Sequence, residues 1–339
     1  MRILITSTPG SRNFAPVRTF AQAWQRLGHE VLVAIERTGS ELASDAGLDC
    51  RPLERETRLD LRAAYTAVLA VAEHYKPHLI VHETAEFSAV LVGETLGVPV
   101  TRVAVVSGTQ ERAAAGVAAA SLDSLRAELG LERDPTGARI FSGRGITLIP
   151  AVLEDPAARV ALERYRAQKP WPRRLPDLWS GDDSPLVHLC LGKREPAVHR
   201  SAIEQLASLQ MRVLVTLTPG VELGPVPAGV HVNPGLSVAD VMPYTAVLVC
   251  DGASSTLTAA LTAGVPMVAV PLSAGQALNA AGMADAGAGI ALDGLNGIAG
   301  SVRAMLRSDD YSAAAERVAA EIAALPPVED ALSPALTSA

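Results

Sequence analysis

Three consecutive hydroxyl residues, Ser254, Ser255 and Thr256, follow an apolar run and open a helical pattern. Hydroxyls and free backbone N–H groups at the positive end of a helix make an anion site, and the same residues also serve as plain helix caps. Both readings stand at this level. The three cysteines, Cys50, Cys190 and Cys250, are widely spaced, and no His/Cys set reads as a metal or redox motif. Neither a metal nor a cofactor is expected, and the thiols are expected reduced and mostly buried. His29, in a turn, and His199, on a helix face, read as structural, while Arg12 and Arg18 either lie solvated or hold an anion.

These residues need elements to position them. The chain has 339 residues, a length that suits two domains better than one, with 49% hydrophobic residues and only 4% aromatics. Such a core is aliphatic, as in parallel sheets covered by helices. The net charge of −7, without a basic run, argues against a nucleic-acid partner. No window approaches a membrane span and the first residues lack a signal-peptide pattern, so a cytoplasmic protein is expected.

Residues 2–6 read as a strand, with a turn over Ser7–Ser11 and a helix from Pro16 carrying Val17, Phe20, Ala21, Trp24 and Leu27. A strand over Val31–Ile35 completes a βαβ unit. Helix 61–75, strand His78–Val81, a helix to Leu96 and strand Val100–Val106 continue the alternation. After the Pro-rich stretch the pattern restarts with strand Leu186–Leu191, helix 196–209, strand Arg212–Leu217, a Pro/Gly loop over 219–230, strand Val247–Cys250, helix Ser254–Ala263, strand Val265–Val270 and helix Gln276–Ala286. The division is therefore 1–168, a linker 169–185, 186–325, and a frayed tail 326–339. The expected fold is α/β, two Rossmann-like doubly wound domains facing a central cleft at the C-terminal ends of both sets of strands.

The stretch Leu248–Thr256, with Gly264-Val265-Pro266, Val268–Pro271 and Gly275–Ala280, resembles the donor-binding signature of family 1 glycosyltransferases, which have the GT-B fold. Thr8-Pro9-Gly10 to Pro16, Leu27–Val31, Pro77–Glu83 and Leu96–Pro99 resemble the opening half of the same enzymes. The resemblance implies transfer of a sugar from a nucleoside diphosphate donor (dTDP or UDP), held by the second domain, to a small-molecule acceptor in the first, with inversion at the anomeric carbon. Bacterial members commonly act on secondary metabolites. It also assigns places. Asn13 stands where the family has its general-base His, and Glu83 matches the acidic residue that supports that His. An amide takes up no proton at neutral pH, so Glu83 is left as the base if burial raises its pKa, the alternative being a strand-end carboxylate in water. His82, its neighbour, should point to the opposite side.

On the donor side, Asp251 and Gly252 lie at the pyrophosphate position, with Asp251 in place of a His. It would repel two like charges, or else cap the helix or pair with a cation. Gly235 falls where the nucleobase stacks on a Trp, and Gly275 replaces an acid that binds sugar hydroxyls, whereas Gln276 and Asn279 are retained. Lys193 and Arg194 occupy a turn that normally offers a hydroxyl to the diphosphate, where they bind phosphate, pair with Asp251, or lie solvated. The segment from Ser107 to Arg144, with Gln110, Glu111 and Arg112, is expected to frame the acceptor pocket. Three functions fit: an active transferase with an atypical site; a non-catalytic relative acting as helper subunit or binding protein; and another sugar-nucleotide reaction, such as hydrolysis or epimerisation. A homodimer or a protein partner is compatible with each.

Overall fold

The computed structural model of the chain describes residues 1–54, 60–155, 158, 160–167, 175, 178–179, 182–218, 220–233 and 236–332. The chain divides into two compact units: Met1–Ile149 with Pro156–Gln168 and Pro326–Ala339, and Pro150–Asp155 with Lys169–Leu325.

The first unit runs β1 (Arg2–Ser7), α1 (Ser11–Arg26), β2 (Glu30–Glu36), α2 (Ser40–Ser44), β3 (Asp49–Leu53), α3 (Leu61–Tyr75), β4 (Leu79–Glu83), α4 (Ser88–Leu96), β5 (Val100–Ala104), α5 (Gly108–Glu128), β6 (Arg144–Thr147) and β7 (Glu163–Arg164). Among the described residues its strands form one parallel sheet in the order β3-β2-β1-β4-β5-β6-β7. Side chains alternate across this sheet, as the period of a strand requires. Ile3 and Ile5 join Val17, Phe20, Trp24 and Val81 on one face, and Leu4 joins Val68, Ile80 and Leu91 on the other.

The second unit contains β8 (Leu186–Cys190), α6 (Pro196–Ala207), β9 (Arg212–Val215), β10 (Val230–Val232), α7 (Val238–Val241), β11 (Val247–Cys250), α8 (Ser254–Ala263), β12 (Met267–Ala269), α9 (Ala274–Asp285), β13 (Gly289–Ala291), α10 (Ile298–Met305) and α11 (Asp310–Ala323). Among the described residues its strands, again parallel, order β10-β9-β8-β11-β12-β13. In each sheet the order reverses once, at β1/β4 and at β8/β11. Such switch points leave a crevice at the strand C-termini, because the two adjoining loops run to opposite faces of the sheet.

Four expectations change. Helix α1 begins at Ser11 rather than Pro16, because buried Phe14 extends the Val17/Phe20/Trp24 stripe by one turn and Pro16 is absorbed inside the helix. The Ala-rich α5 and the strands β3, β6, β7, β10 and β13 have no counterpart among the expected elements. Part of the Pro-rich linker is anchored: Trp179 donates to Gly229 O at 3.0 Å and its ring meets that of His231 edge-on at 4.8 Å.

The described part of the tail is not frayed. Pro326–Leu332 returns to the first unit, where Arg166 N–H donates to Pro326 O, Val328 N–H donates to Arg166 O, and Val328, Ala331 and Leu332 are buried in the Phe20/Trp24 cluster. Residues 333–339 lie outside the described residues, as do most of 169–185. Among the described residues, no helix is long and apolar enough to cross a membrane.

Burying a Val or Leu side chain stabilises by about 1.5–3 kcal/mol. Deleting Pro326–Ala339 should therefore lower the stability of the first unit by about 4 kcal/mol in a denaturant titration. An unchanged midpoint would show that the returning segment contributes nothing.

Candidate functional site

At the β1/β4 switch point, the loop after β1 brings Thr8 and, at the start of α1, Asn13 over the end of β4. Glu83 is fully buried there. Its Oε1 accepts from Thr8 N–H at 3.1 Å and from Thr8 Oγ1 at 2.5 Å, and its Oε2 accepts from Ala85 N–H at 2.8 Å. Asn13 Nδ2 in turn donates to Thr8 Oγ1 at 2.8 Å. The strand-end carboxylate in water is thereby corrected: burial removes it from solvent and raises its pKa, while the bonds from Thr8 and Ala85 oppose part of that rise and Glu86 adds to it.

His82 points elsewhere. It lines a pocket of about 510 Å³ with Val90, Gly93, Arg102 and Ile140, and burial next to Arg102 lowers its pKa to about 4. Arg102, from β5, donates to Glu111 Oε1 at 3.1 Å and to Ile140 O at 3.2 Å. Thr84 Oγ1 donates to the same Glu111 oxygen at 2.9 Å and accepts from Val105 N–H. Glu111, in the segment expected to frame the acceptor pocket, is thus an internal anchor holding α5 against β4 and β5. Gln110 donates to Ser107 Oγ, and Arg112 lies 6.0 Å from the centre of the Phe141 ring.

At the β8/β11 switch point, Asp251 follows β11 and is 3% exposed. Its Oδ1 accepts from Ala253 N–H at 3.1 Å, and its Oδ2 accepts from Gln276 Nε2 at 2.8 Å. Gln276 Oε1 accepts from Leu272 N–H at 2.9 Å, so both ends of this amide are engaged within the unit. Asn279, also buried, donates to Gly252 O and to Ser254 Oγ, each at 3.0 Å. Two amides of α9 thus stitch down the loop that opens α8.

Gly252 is required here. Its φ is +78°, and a Cβ would come within 3.0 Å of Gln276 O. The N-cap of α8 is Ala253, which has no side-chain cap, so Ser254, Ser255 and Thr256 form the first turn rather than the cap. Ser255 is exposed and Thr256 half-buried. Lys193 is exposed and Arg194 half-buried in the turn after β8. Gly275 precedes Gln276 in the first turn of α9. Gly235 and the side chain of Arg12 lie outside the described residues.

His29 sits 3.3 Å from the N-terminal amine, and His199 is buried on α6. The cysteines are free, Cys250 buried and Cys50 and Cys190 half-buried. Among the described residues no three His, Cys, Asp or Glu side chains gather as a metal site. Ala85, Arg102 and Leu272 were not singled out from sequence, and Thr8 entered only as the first residue of the Thr8–Pro16 likeness. Only Arg102, a charge inside an apolar strand, carried a signal.

Two parallel Rossmann-like units, each with its polar residues at the switch point, define the GT-B class. Solved structures agree. The chain aligns with the spinosyn forosaminyltransferase SpnP at TM-score 0.85 and 23% identity, covering 99% of this chain and 98% of that one. It aligns with the Streptomyces sp. SF2575 glycosyltransferase SsfS6, solved with thymidine diphosphate, at TM-score 0.80 and 25% identity over all of both chains.

Residues 200–333 match the erythromycin biosynthesis protein CIII-like C-terminal domain. The L-demethylnoviosyl transferase of Streptomyces niveus is 29% identical over 96% of this chain and 95% of its own length. The elloramycin glycosyltransferase ElmGT of Streptomyces olivaceus is 38% identical over 32% of this chain and 28% of its own. The chain is thus similar along its length to family 1 glycosyltransferase-like proteins.

Two predictions follow from the switch points. Because the folded-state pKa of Glu83 is raised, its contribution to stability is full below the ordinary glutamate range and is lost as the pH rises through the raised value. Melting temperatures of the wild type and Glu83→Gln, measured from pH 4 to 8, should shift in the variant's favour as the pH rises; a constant difference would refute the raised pKa. Removing the donor to a buried carboxylate costs about 1–3 kcal/mol. Gln276→Leu should accordingly lower the melting temperature by several degrees, with Asp251→Ala/Gln276→Leu no worse than additive.

Proposed function

We propose that the protein transfers a sugar from a thymidine or uridine diphosphate donor to a hydroxyl of a small natural-product acceptor. The observation that carries this reading is the first turn of α8. It sits at a switch point, opens with Ser254, Ser255 and Thr256, and has no side-chain cap on its N-terminal N–H groups. Helix starts of this kind bind diphosphate oxygens through N–H groups and the helix dipole. The relatives support it as a group, since they are named glycosyltransferases of natural-product pathways, and one was solved with thymidine diphosphate.

In this reading Lys193 and Arg194 add positive charge for the diphosphate, Gly252 lets the loop pass close under it, and Gln276 and Asn279 fix the loop's shape. Glu83 is the final store for the acceptor's proton, because a carboxylate taken out of water is a stronger base. Direct displacement at the anomeric carbon inverts the sugar. No metal or cofactor takes part.

Asp251 favours a second reading, a non-catalytic relative retained as a helper subunit or ligand-binding protein. Its carboxylate is itself an anion at the start of α8, bound to Ala253 N–H. A thermal-shift screen against UDP, dTDP, GDP and ADP and their glucose conjugates separates the two. The transferase reading expects a melting temperature that rises with dTDP or UDP through binding linkage. No response to any of them in the wild type, with a response gained in Asp251→His, would establish the second reading.

A further inference from the structure

The proposed transfer needs a group that touches the acceptor hydroxyl, and the two residues at the family's positions do not supply one. Asn13 takes up no proton. Glu83 has no exposed surface, and both of its oxygens are already occupied by Thr8 and Ala85. Between them stands Thr8, half-buried, with its hydroxyl in line. We infer that Thr8 Oγ1 is the group that receives the acceptor's proton, handing its own to Glu83 while Asn13 holds it in position. This rests on the transferase reading above.

The inventory of a hydroxyl fits this role. It has one hydrogen and two lone pairs. The 2.5 Å contact with Glu83 Oε1 takes the hydrogen, since an ionised carboxylate only accepts. Asn13 Nδ2, at 2.8 Å, takes one lone pair. The other is the place for an incoming O–H, because among the described residues no further donor reaches Thr8 Oγ1. The same arrangement fixes the orientation of the Asn13 amide: with the Thr8 hydrogen committed to Glu83, only the NH₂ end of Asn13 can face Oγ1.

The step balances. As the acceptor oxygen bonds to the anomeric carbon, the bond from that carbon to the diphosphate oxygen breaks and its electron pair leaves with the diphosphate. The acceptor's proton moves to Thr8 Oγ1, and the Thr8 proton moves to Glu83 Oε1. Afterwards Glu83 is neutral and donates to Oγ1, Asn13 still donates to Oγ1, and Thr8 donates to the new glycosidic oxygen. Nothing is oxidised or reduced. Burial, reinforced by Glu86, favours the neutral Glu83 at the end of the relay, while the neutral His82 and the Arg102–Glu111 pair lie on the far side of β4 and take no proton from it.

The test uses the full chain, with dTDP-glucose and UDP-glucose as donors and 4-methylumbelliferone as the acceptor hydroxyl. Acid–base groups contribute about 10²–10⁴-fold to rate. Thr8→Val should therefore lower kcat at least about 100-fold with the donor KM unchanged, and Thr8→Ser should retain activity within about fivefold. The acid limb of the kcat–pH profile should be present in the wild type and Thr8→Ser and absent from the residual rates of Thr8→Val and Glu83→Gln. A proton inventory on the wild type needs no variant and should be bowed, with two protons in flight. A linear inventory, or near-normal kcat in a folded Thr8→Val, overturns the relay alone. No transfer by the wild type to this hydroxyl, together with a silent nucleotide screen, overturns the transferase reading and the relay with it; no transfer with a positive screen overturns the relay as a route for a general acceptor hydroxyl.

Discussion

A carboxylate moved out of water must find hydrogen-bond donors, and in this protein they come from the switch-point loops and, in the second unit, also from the start of α9. Glu83 takes Thr8 and Ala85; Asp251 takes Ala253 and Gln276. An unsatisfied buried charge would cost several kcal/mol, so each loop is drawn onto its carboxylate and held there. The shape of each half-site follows from that demand. On the first unit it sets the height of the β1–α1 loop over the end of β4, and on the second it sets the entry into α8.

The two carboxylates differ in what they leave available. Glu83 is reached through a hydroxyl, which can carry a proton, so its isolation from solvent strengthens it as a base without cutting it off. Asp251 is reached through amides, which carry none, and its effect is geometric and electrostatic. It shapes the loop before α8 while lending negative charge to a helix start whose dipole attracts anions. Lys193 and Arg194 supply opposite charge on the neighbouring loop after β8.

A third buried charge has a supporting role. Arg102 joins Glu111, Ile140 O and, through Glu111, Thr84, and so fixes α5 to the ends of β4 and β5. Because Thr84 follows Glu83 directly, this network also immobilises the backbone on which the candidate base is carried. Rigid support of that kind keeps an acid–base group within the narrow geometry that proton transfer needs.

Much of this was written in the sequence. Alternating aliphatic runs and helical stripes determined two parallel α/β units, because side-chain period and strand length depend on neighbours a few residues away. The hydroxyl run at Ser254 was legible for the same reason, whereas Gly252 and the departures at Asn13 and Asp251 were placed only by the family resemblance. Elements with weak periodicity, such as the Ala-rich α5 and the three-residue β10 and β13, were not, since packing rather than local pattern fixes them. Nor was the return of Val328–Leu332 to the first unit, where apolar contacts with residues some 300 positions away outweigh a Pro- and Ser-rich composition. The clearest case is Glu83. Sequence determined a carboxylate at the end of a strand; only the tertiary structure decided that Thr8 lies above it, because burial and hydrogen-bond partners are set by loops that meet at a sheet's switch point from far apart in the chain.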